Sequence, residues 1–209
     1  MSISKVLWEE NADLADAALR HPFVRGIGDG SLPPECFARF IAQDGFYLDA
    51  YARAYGLALA YSPDRPVMRA FADLIAGLRD ELQLNEAYAQ RLNIDPSSVE
   101  PVPATLAYTE FLLASAAAGD VGQTCAAMTP CMRLYAHLGR SLAESASSVT
   151  YRQWIDRHTD PGLEARAAML EHLLDTYASD ADSHRATYRQ AMRLELNFFD
   201  AAYAGTPAG

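Results

Sequence analysis

The chain has 209 residues, of which 50% are hydrophobic and 21% charged, and its 27 acids against 17 Lys and Arg give a formal net charge of −10. This length and composition are typical of one globular domain with a sizeable core, and they exclude a disordered chain. The few basic residues are scattered, which disfavours nucleic-acid binding because neutralising phosphates takes clustered Lys and Arg.

Membrane and disulfide-bonded classes are disfavoured as well. No run approaches the roughly 20 uncharged apolar residues that a membrane helix needs, and the acidic N-terminus lacks the layout of a signal peptide. The three cysteines, Cys36, Cys125 and Cys131, are odd in number and show no C-x-x-C spacing. Neither a disulfide framework nor a zinc site is therefore expected, and we predict a soluble cytoplasmic protein.

The first quarter of the chain predicts two helices joined by a turn. Apolar positions at helical spacing predict a first helix from Ser4 to about Arg20, ended by His21 before a proline. Residues 26–30, Gly-Ile-Gly-Asp-Gly, resemble a phosphate loop but follow a helix and lack a Lys-Ser/Thr pair, so a tight turn is expected. Ser31, with prolines and an acid after it, predicts the capped start of the second helix.

This second helix carries an acid on its apolar face. Asp44 falls on the i, i+3, i+4 stripe formed by Phe37, Phe40, Ile41, Leu48, Tyr51 and Tyr55. An unpaired carboxylate among core positions costs several kcal/mol, so Asp44 needs a partner, either within the protein or on a ligand. Tyr47 lies three residues on and shares the same side of the helix.

The rest of the chain predicts helices throughout. After a break at Ser62–Pro66, helical patterns run through Val67–Tyr88, Leu106–Gly119, Val121–Ala143, Tyr151–Ile155, Leu163–Tyr177 and Ser183–Tyr203, with a proline-rich loop over 93–103 and a linker over 145–150. No segment shows sustained period-2 alternation and no repeat stands out. The fold class is therefore all-α, a multi-helix bundle.

Two further helical positions indicate chemistry. Cys131 follows a proline inside an apolar helix, and Glu195 lies on an apolar stripe of the last helix. A buried cysteine is often only a small hydrophobe. If Asp44, Cys131 and Glu195 meet in a bundle core, however, burial raises the carboxyl pKa and the thiol becomes a candidate nucleophile. Tyrosines at 47, 108 and 135 would add ring faces, so the pattern indicates a site for a flat small molecule.

Competing sites fail on spacing. No glutamate has a histidine three residues later, as a di-iron bundle requires, and neither H-E-x-x-H nor Gly-x-Ser-x-Gly is present. A haem held by His21 is a minor alternative, because a histidine before a proline at a helix end is more typical of a cap. No metal and no cofactor are predicted.

The chain resembles the TenA family, also called thiaminase II or aminopyrimidine aminohydrolase. The matching segments span nearly the whole chain: His21-Pro22-Phe23, Ile27 to Leu32, Gln43-Asp44 with Tyr47-Leu48, Pro130-Cys131 with Leu134-Tyr135, Trp154-Ile155, and Glu195 with Phe198. The resemblance implies a haem-oxygenase-like bundle that assembles as a homotetramer. It also implies hydrolysis of the bond from a pyrimidine methylene to an amine or thiazolium, which releases hydroxymethylpyrimidine for thiamin salvage.

The resemblance also implies residue roles. Cys131 would be the nucleophile that adds to the pyrimidine ring, and Glu195 the acid-base residue for a ring nitrogen. Asp44 would bind the amino edge of the ring. The expected substrate-binding aromatic residues are Tyr47 and Tyr135 against the ring, Tyr108 with its hydroxyl near the thiol, and Phe198.

Three departures leave the substrate open. His158 stands where the family commonly has a tyrosine, and its imidazole is expected to titrate near neutrality and to line the pocket. The segment 159–163 also differs from the family, and Asn85 stands where histidine is expected. Another heteroaromatic amine as substrate, or a non-catalytic pyrimidine-binding or regulatory protein, stays an alternative. Residues 1–209 are expected to form one domain with a flexible tail, in a homo-oligomer of two or four chains.

Overall fold

Ten α-helices and one short 3₁₀ helix make up the part of the chain that the computed structural model describes, residues 2–145 and 149–204. The α-helices are α1 Ile3–Glu10, α2 Ala12–Arg20, α3 Pro22–Asp29, α4 Pro34–Ala60, α5 Arg65–Arg91, α6 Pro103–Ala117, α7 Val121–Ser145, α8 Arg152–His158, α9 Pro161–Tyr177 and α10 Asp182–Tyr203, with the 3₁₀ helix at Pro96–Ser98. Since these residues contain no strand, the all-α prediction is confirmed. The predicted tail falls on 205–209 and the middle of the predicted linker on 146–148, outside the described residues.

The N-terminal predictions need correction. The first predicted helix is two helices, which separate at Asn11, a buried residue whose side-chain amide donates to the Leu7 carbonyl at 2.8 Å. Residues 26–29 are not a turn but the end of α3, which stops at Gly30 in the left-handed region with φ 80°. A Cβ on Gly26 would lie 2.9 Å from the Leu32 Cα, so this glycine serves close packing.

The two neighbouring helices have different N-caps, and only the second differs from expectation. The His21 ring caps α3, since its Nδ1 accepts from the Phe23 backbone N–H at 3.1 Å. Helix α4 begins at Pro34 with Pro33 as its N-cap, and no side-chain hydrogen bond caps it. The prediction that Ser31 caps this helix was therefore wrong, because α4 starts two residues later than a serine cap would place it.

Helix α7 is the central element of the bundle. It packs against α6, α8, α9 and α10, while α4 packs against α5, α6 and α10. Pro130 lies inside α7, and the helix continues on both sides of it although proline contributes no N–H to the helical ladder. The Tyr51 hydroxyl donates to the Met128 carbonyl at 2.8 Å and so ties α4 to α7 beside this proline.

A glycine on α7 sets the distance to α8. A Cβ on Gly139 would overlap the backbone carbonyl of His158, so only glycine allows α8 to lie this close. The approach brings Trp154 and His158 against Tyr135 of α7, with ring centroids 5.9 and 5.1 Å from the Tyr135 ring. No helix among the described residues is long and apolar enough to cross a membrane.

Candidate active site

A cavity of about 690 Å³, its open mouth included, lies between α4, α5, α7, α8 and α9. Most of its wall is apolar or aromatic, with a few polar groups, which is typical of a small-molecule site. Five of the residues singled out from the sequence line it: Asp44, Tyr47, Cys131, Tyr135 and His158. The other three, Tyr108, Glu195 and Phe198, do not line the cavity and lie behind its wall.

The residues behind the wall pack directly on those that line it. The centroids of the Tyr108 and Phe198 rings lie 4.8 and 6.0 Å from the centroid of the Tyr47 ring. Glu195, on the same helix as Phe198, is only 2% exposed and acts electrostatically on Tyr47 and Cys131. The structure thus brings together all eight residues, from α4, α6, α7, α8 and α10.

The Cys131 thiol is held in its protonated form. It lines the cavity and is half-buried, and burial together with the nearby Glu195 carboxyl raises its pKa well above the usual range. A thiol is a poor nucleophile until it loses its proton. For Cys131 to act as a nucleophile, a base must lie beside it.

Glu195 can provide that base. Burial raises the pKa of its carboxyl to about 7, against the opposing effects of the Tyr108 hydroxyl and the Cys131 thiol. The Tyr108 hydroxyl donates to the Glu195 Oε1 atom at 2.7 Å. Since a group that titrates near neutrality is present in both protonation states, Glu195 can accept one proton and return it.

Asp44 is a second carboxyl with a pKa raised to about 7, by burial and by the charge of Glu81. The Asn85 side-chain amide donates to the Asp44 Oδ2 atom and to the Ile41 carbonyl, each at 3.1 Å. This amide orientation is required because both neighbours are acceptors. The partner expected for Asp44 is therefore within the protein, and its Oδ1 atom has no partner among the described residues.

Replacing Asn85 is expected to change the titration of Asp44. The amide hydrogen bond lowers the Asp44 pKa, so Asn85→Leu should raise it above 7 and reduce the ionised fraction at neutral pH. Carbon-13 NMR of labelled aspartate carboxyls measures the shift. Gln83→Leu, the same amide loss at an exposed position of α5, is the control and should leave the Asp44 pKa unchanged. Equal pKa values in both variants would contradict the assigned contact.

His158 is neutral in this site. Its Nδ1 atom lies 2.7 Å from the Trp154 carbonyl, which can only accept, so Nδ1 carries the hydrogen and Nε2 is an acceptor. Burial lowers the pKa of the ring to about 4, although the charge of Glu81 opposes this. The expectation that this imidazole titrates near neutrality was wrong, because desolvation disfavours its charged form.

The buried hydroxyl of Tyr47 makes no hydrogen bond of standard geometry among the described residues, although it lies close enough to the Cys131 thiol and the Tyr108 hydroxyl to lower the pKa of each. It lies beside Cys131 and Tyr108, and burial raises its pKa well above the usual range, so the hydroxyl stays protonated. An unpaired buried hydroxyl costs free energy. A polar ligand atom in the cavity would satisfy it.

Sequence reasoning did not select Glu81, which also lines the cavity. Its Oε1 atom accepts from Arg157 at 2.6 Å and from Arg166 at 3.1 Å. A signal was present, since Leu78, Glu81, Asn85 and Tyr88 follow helical spacing on one face of α5. The two arginine partners lie 76 and 85 residues further along the chain.

The described residues include no group of three or more His, Cys, Asp or Glu side chains that could hold a metal ion. His21, the alternative haem ligand, has both ring nitrogens engaged. Its Nδ1 caps α3 and its Nε2 lies 3.0 Å from the Asp200 Oδ1 atom. This histidine is therefore a structural cap that joins the start of α3 to α10.

The chain is similar to one protein family over nearly its whole length. The model of the TENA/THI-4/PQQC family matches residues 8–205. An aminopyrimidine aminohydrolase of Halalkalibacterium halodurans is 34% identical over 215 residues, covering 97% of this chain and 96% of that protein. The thiamine biosynthesis multifunctional protein ThiED of Corynebacterium efficiens is 32% identical over 206 residues, covering 95% of this chain but only 28% of the much longer relative.

A solved structure supports the fold. A domain of unknown function with a haem-oxygenase-like fold, from Shewanella denitrificans OS217, superposes with a TM-score of 0.75 at 15% identity, covering 97% of this chain and 92% of that chain. The predicted haem-oxygenase-like bundle is therefore confirmed.

Proposed function

The chain belongs to the TENA/THI-4/PQQC family, and from this premise we propose that it is an aminopyrimidine aminohydrolase of the thiaminase II type. It would hydrolyse the bond between a pyrimidine methylene and an amine or thiazolium nitrogen, and so serve thiamin salvage. The observation that carries this proposal is the placement of the Cys131 thiol on the wall of an aromatic cavity, beside the buried Glu195 carboxyl. The names of the relatives in Halalkalibacterium and Corynebacterium support the same reaction and pathway.

In the proposed mechanism one proton moves from thiol to carboxyl to substrate. Glu195 accepts the Cys131 proton while the sulfur adds to a ring carbon, and it then protonates the ring nitrogen that receives the displaced electron pair. That pair expels the leaving group from the methylene, as a neutral amine from its ammonium form or as a thiazole from the thiazolium. Water adds to the resulting exocyclic methylene and its spare proton goes to the released base. The carbon–sulfur bond then breaks, and the proton on the ring nitrogen returns through Glu195 to the sulfur, which restores the ring and the thiol. One water is consumed, and hydroxymethylpyrimidine and an amine are released.

The other groups hold the substrate during these steps. The Asp44 Oδ1 atom is left to accept from the ring amino group, because Asn85 occupies the Oδ2 atom. The rings of Tyr47 and Tyr135 line the cavity and would flank a flat heteroaromatic ligand. The unpaired Tyr47 hydroxyl would gain a partner in a ring nitrogen or the leaving group.

A substrate panel tests the proposal. The purified protein is incubated with thiamin, with 4-amino-5-aminomethyl-2-methylpyrimidine and with its N-formyl derivative, and the products are followed by mass spectrometry and an ammonia assay. Release of hydroxymethylpyrimidine from at least one of them supports the function. A folded protein that binds these pyrimidines but hydrolyses none would instead be the non-catalytic alternative.

We also propose that the protein is a homo-oligomer, with α6 at the interface between copies. This helix is apolar around most of its circumference, and Leu106 within it and Val102 at its N-cap are 42% and 36% exposed. Apolar side chains on the outside of a surface helix favour burial against another chain, and a second copy is the partner always present.

Leu106→Lys is expected to lower the oligomer mass, because a charge on this face opposes its burial. Light scattering coupled to size-exclusion chromatography measures the mass of both proteins. Met68→Lys, at a position of α5 that is also 42% exposed, is the matched control and should leave the mass unchanged. A wild-type monomer, or equal masses for the wild type and Leu106→Lys, would contradict the proposal.

The state of the cysteines and the position of Cys131 support a cytosolic, single-domain protein. None of the three cysteines is in a disulfide, which supports a reducing cytosol as the place of action. Cys131 on α7 meets residues of α4 near one end of the chain and of α10 near the other. This supports a single domain over 1–209.

A further inference from the structure

One corner of the cavity offers hydrogen-bond acceptors in fixed positions. The first is the His158 Nε2 atom, because the bond from Nδ1 to the Trp154 carbonyl holds the ring in a single tautomer. The ring also packs against Trp154 and Tyr135, with centroid distances of 4.0 and 5.1 Å. Rotation of the ring would break these contacts, so Nε2 keeps its direction.

The second acceptor is the Glu81 carboxylate. Both arginine bonds go to its Oε1 atom, and its Oε2 atom has no partner among the described residues. The two guanidinium groups, with side chains only 16% and 13% exposed, fix the carboxylate against the cavity wall. Glu81, Asp44 and His158 all line the same cavity, and Arg157, which donates to Glu81, immediately precedes His158 in α8.

Asn85 does not supply a donor to this corner. Its side-chain nitrogen is used for the Ile41 carbonyl and the Asp44 Oδ2 atom, which occupies both N–H bonds. A ligand group placed between His158 and Glu81 therefore meets acceptors and must bring its own donor. Binding without one would leave two buried acceptors unpaired, which costs affinity.

We propose that His158 and Glu81 form the specificity site for the substituent on the pyrimidine methylene, and that they select a substituent bearing N–H. The proposal rests on the proposed function. Asp44 already serves the ring amino group, and the only other N–H group of a 4-amino-5-aminomethylpyrimidine is the methylene amine. A thiazolium nitrogen carries no hydrogen, so this corner disfavours it.

Binding to a matched ligand pair tests the proposal. In the Cys131→Ala background, which prevents turnover, calorimetry compares 4-amino-5-aminomethyl-2-methylpyrimidine with 4-amino-2,5-dimethylpyrimidine, which lacks the methylene amine. Adding His158→Phe removes the acceptor and keeps a ring. This substitution should weaken binding of the aminomethyl ligand about tenfold, the effect of one lost hydrogen bond, and leave the affinity for the dimethyl ligand unchanged. His172→Phe, at an exposed position of α9, is the control for the substitution itself.

Equal weakening of both ligands, or of neither, would overturn the proposal. Nitrogen-15 NMR of histidine-labelled protein gives an independent readout on the unaltered chain. A protonated Nε2 on His158 contradicts the assignment, even if His158→Phe fails to fold.

Activity separates this proposal from the proposed function. Suppose that the wild-type protein hydrolyses pyrimidines, and that the ratio of kcat/KM for the aminomethyl substrate to kcat/KM for thiamin is the same in the wild type and in His158→Phe. In that case only the specificity site is wrong. If no pyrimidine is hydrolysed but the selective binding loss is observed, the proposed function fails and the acceptor corner stands.

Discussion

Cys131→Ser is expected to lower kcat/KM for the hydrolysed pyrimidine by about 10³-fold or more, since loss of a covalent nucleophile is among the most damaging changes in an active site. The serine hydroxyl has nearly the same size but a much higher pKa, so the neighbouring Glu195 carboxyl cannot deprotonate it effectively. Steady-state kinetics on the substrate from the panel, with circular dichroism as the check on folding, measure the loss.

A second cysteine on the same helix provides the control. Cys125 is fully buried in α7 and does not line the cavity. Cys125→Ala should therefore cost stability through a small void and leave kcat/KM within a fewfold of the wild type. If Cys131→Ser retained near-normal turnover, the proposed covalent addition to the ring would be wrong, whatever the effect of Cys125→Ala.

Glu195→Gln is expected to lower kcat by about 10² to 10⁴-fold, the usual contribution of a general acid-base group. The glutamine keeps the shape and can still accept from the Tyr108 hydroxyl, but it can neither take the thiol proton nor protonate a ring nitrogen. The pH profile of kcat distinguishes this from a packing effect, because the step near pH 7 that reflects Glu195 should disappear. A variant that keeps that step would assign it to Asp44 instead.

The same substitution should change stability with pH. In the unfolded chain a glutamic acid titrates near pKa 4.3, whereas burial raises the Glu195 pKa to about 7 in the folded protein. The folded state therefore holds this proton more tightly, and its contribution to stability is present below about pH 4 and is lost as the pH rises to 7. As the pH rises through this range, the free energy of unfolding of Glu195→Gln should therefore increase relative to that of the wild type by on the order of 3 kcal/mol.

Urea denaturation at pH 5 and pH 8.5 measures this difference. Titration of the other carboxyls occurs in both proteins and cancels in the comparison. Glu86→Gln, at an exposed position of α5, is the control and should show no such dependence on pH. A constant difference between Glu195→Gln and the wild type at both pH values would show that the carboxyl is not held protonated by burial.

The sequence was sufficient to predict the helices and to predict which residues share a helical face. The apolar stripes of α4, α7 and α10 follow a period of 3.6 residues, and each stripe carries one residue that core packing does not explain: Asp44, Cys131 and Glu195. Two predictions failed: a continuous helix through Asn11 and a turn beginning at Gly26. The structure at these two positions depends on contacts with Leu7 and Leu32. A glycine that allows close packing and a glycine that makes a turn look the same in a sequence.

Periodicity and the cost of burying charge are local properties, so the all-α bundle, with a thiol and two acids on inward helical faces, could be predicted from the residues alone. Which of these groups line the cavity depends on how distant helices pack, that is, on the tertiary structure. It also decided the protonation of the site, since the pKa values of Asp44, Glu195 and His158 depend on burial by distant helices. The acceptor corner of Glu81 and His158 exists only because α5 and α8 face the same cavity, and no local pattern encodes that arrangement.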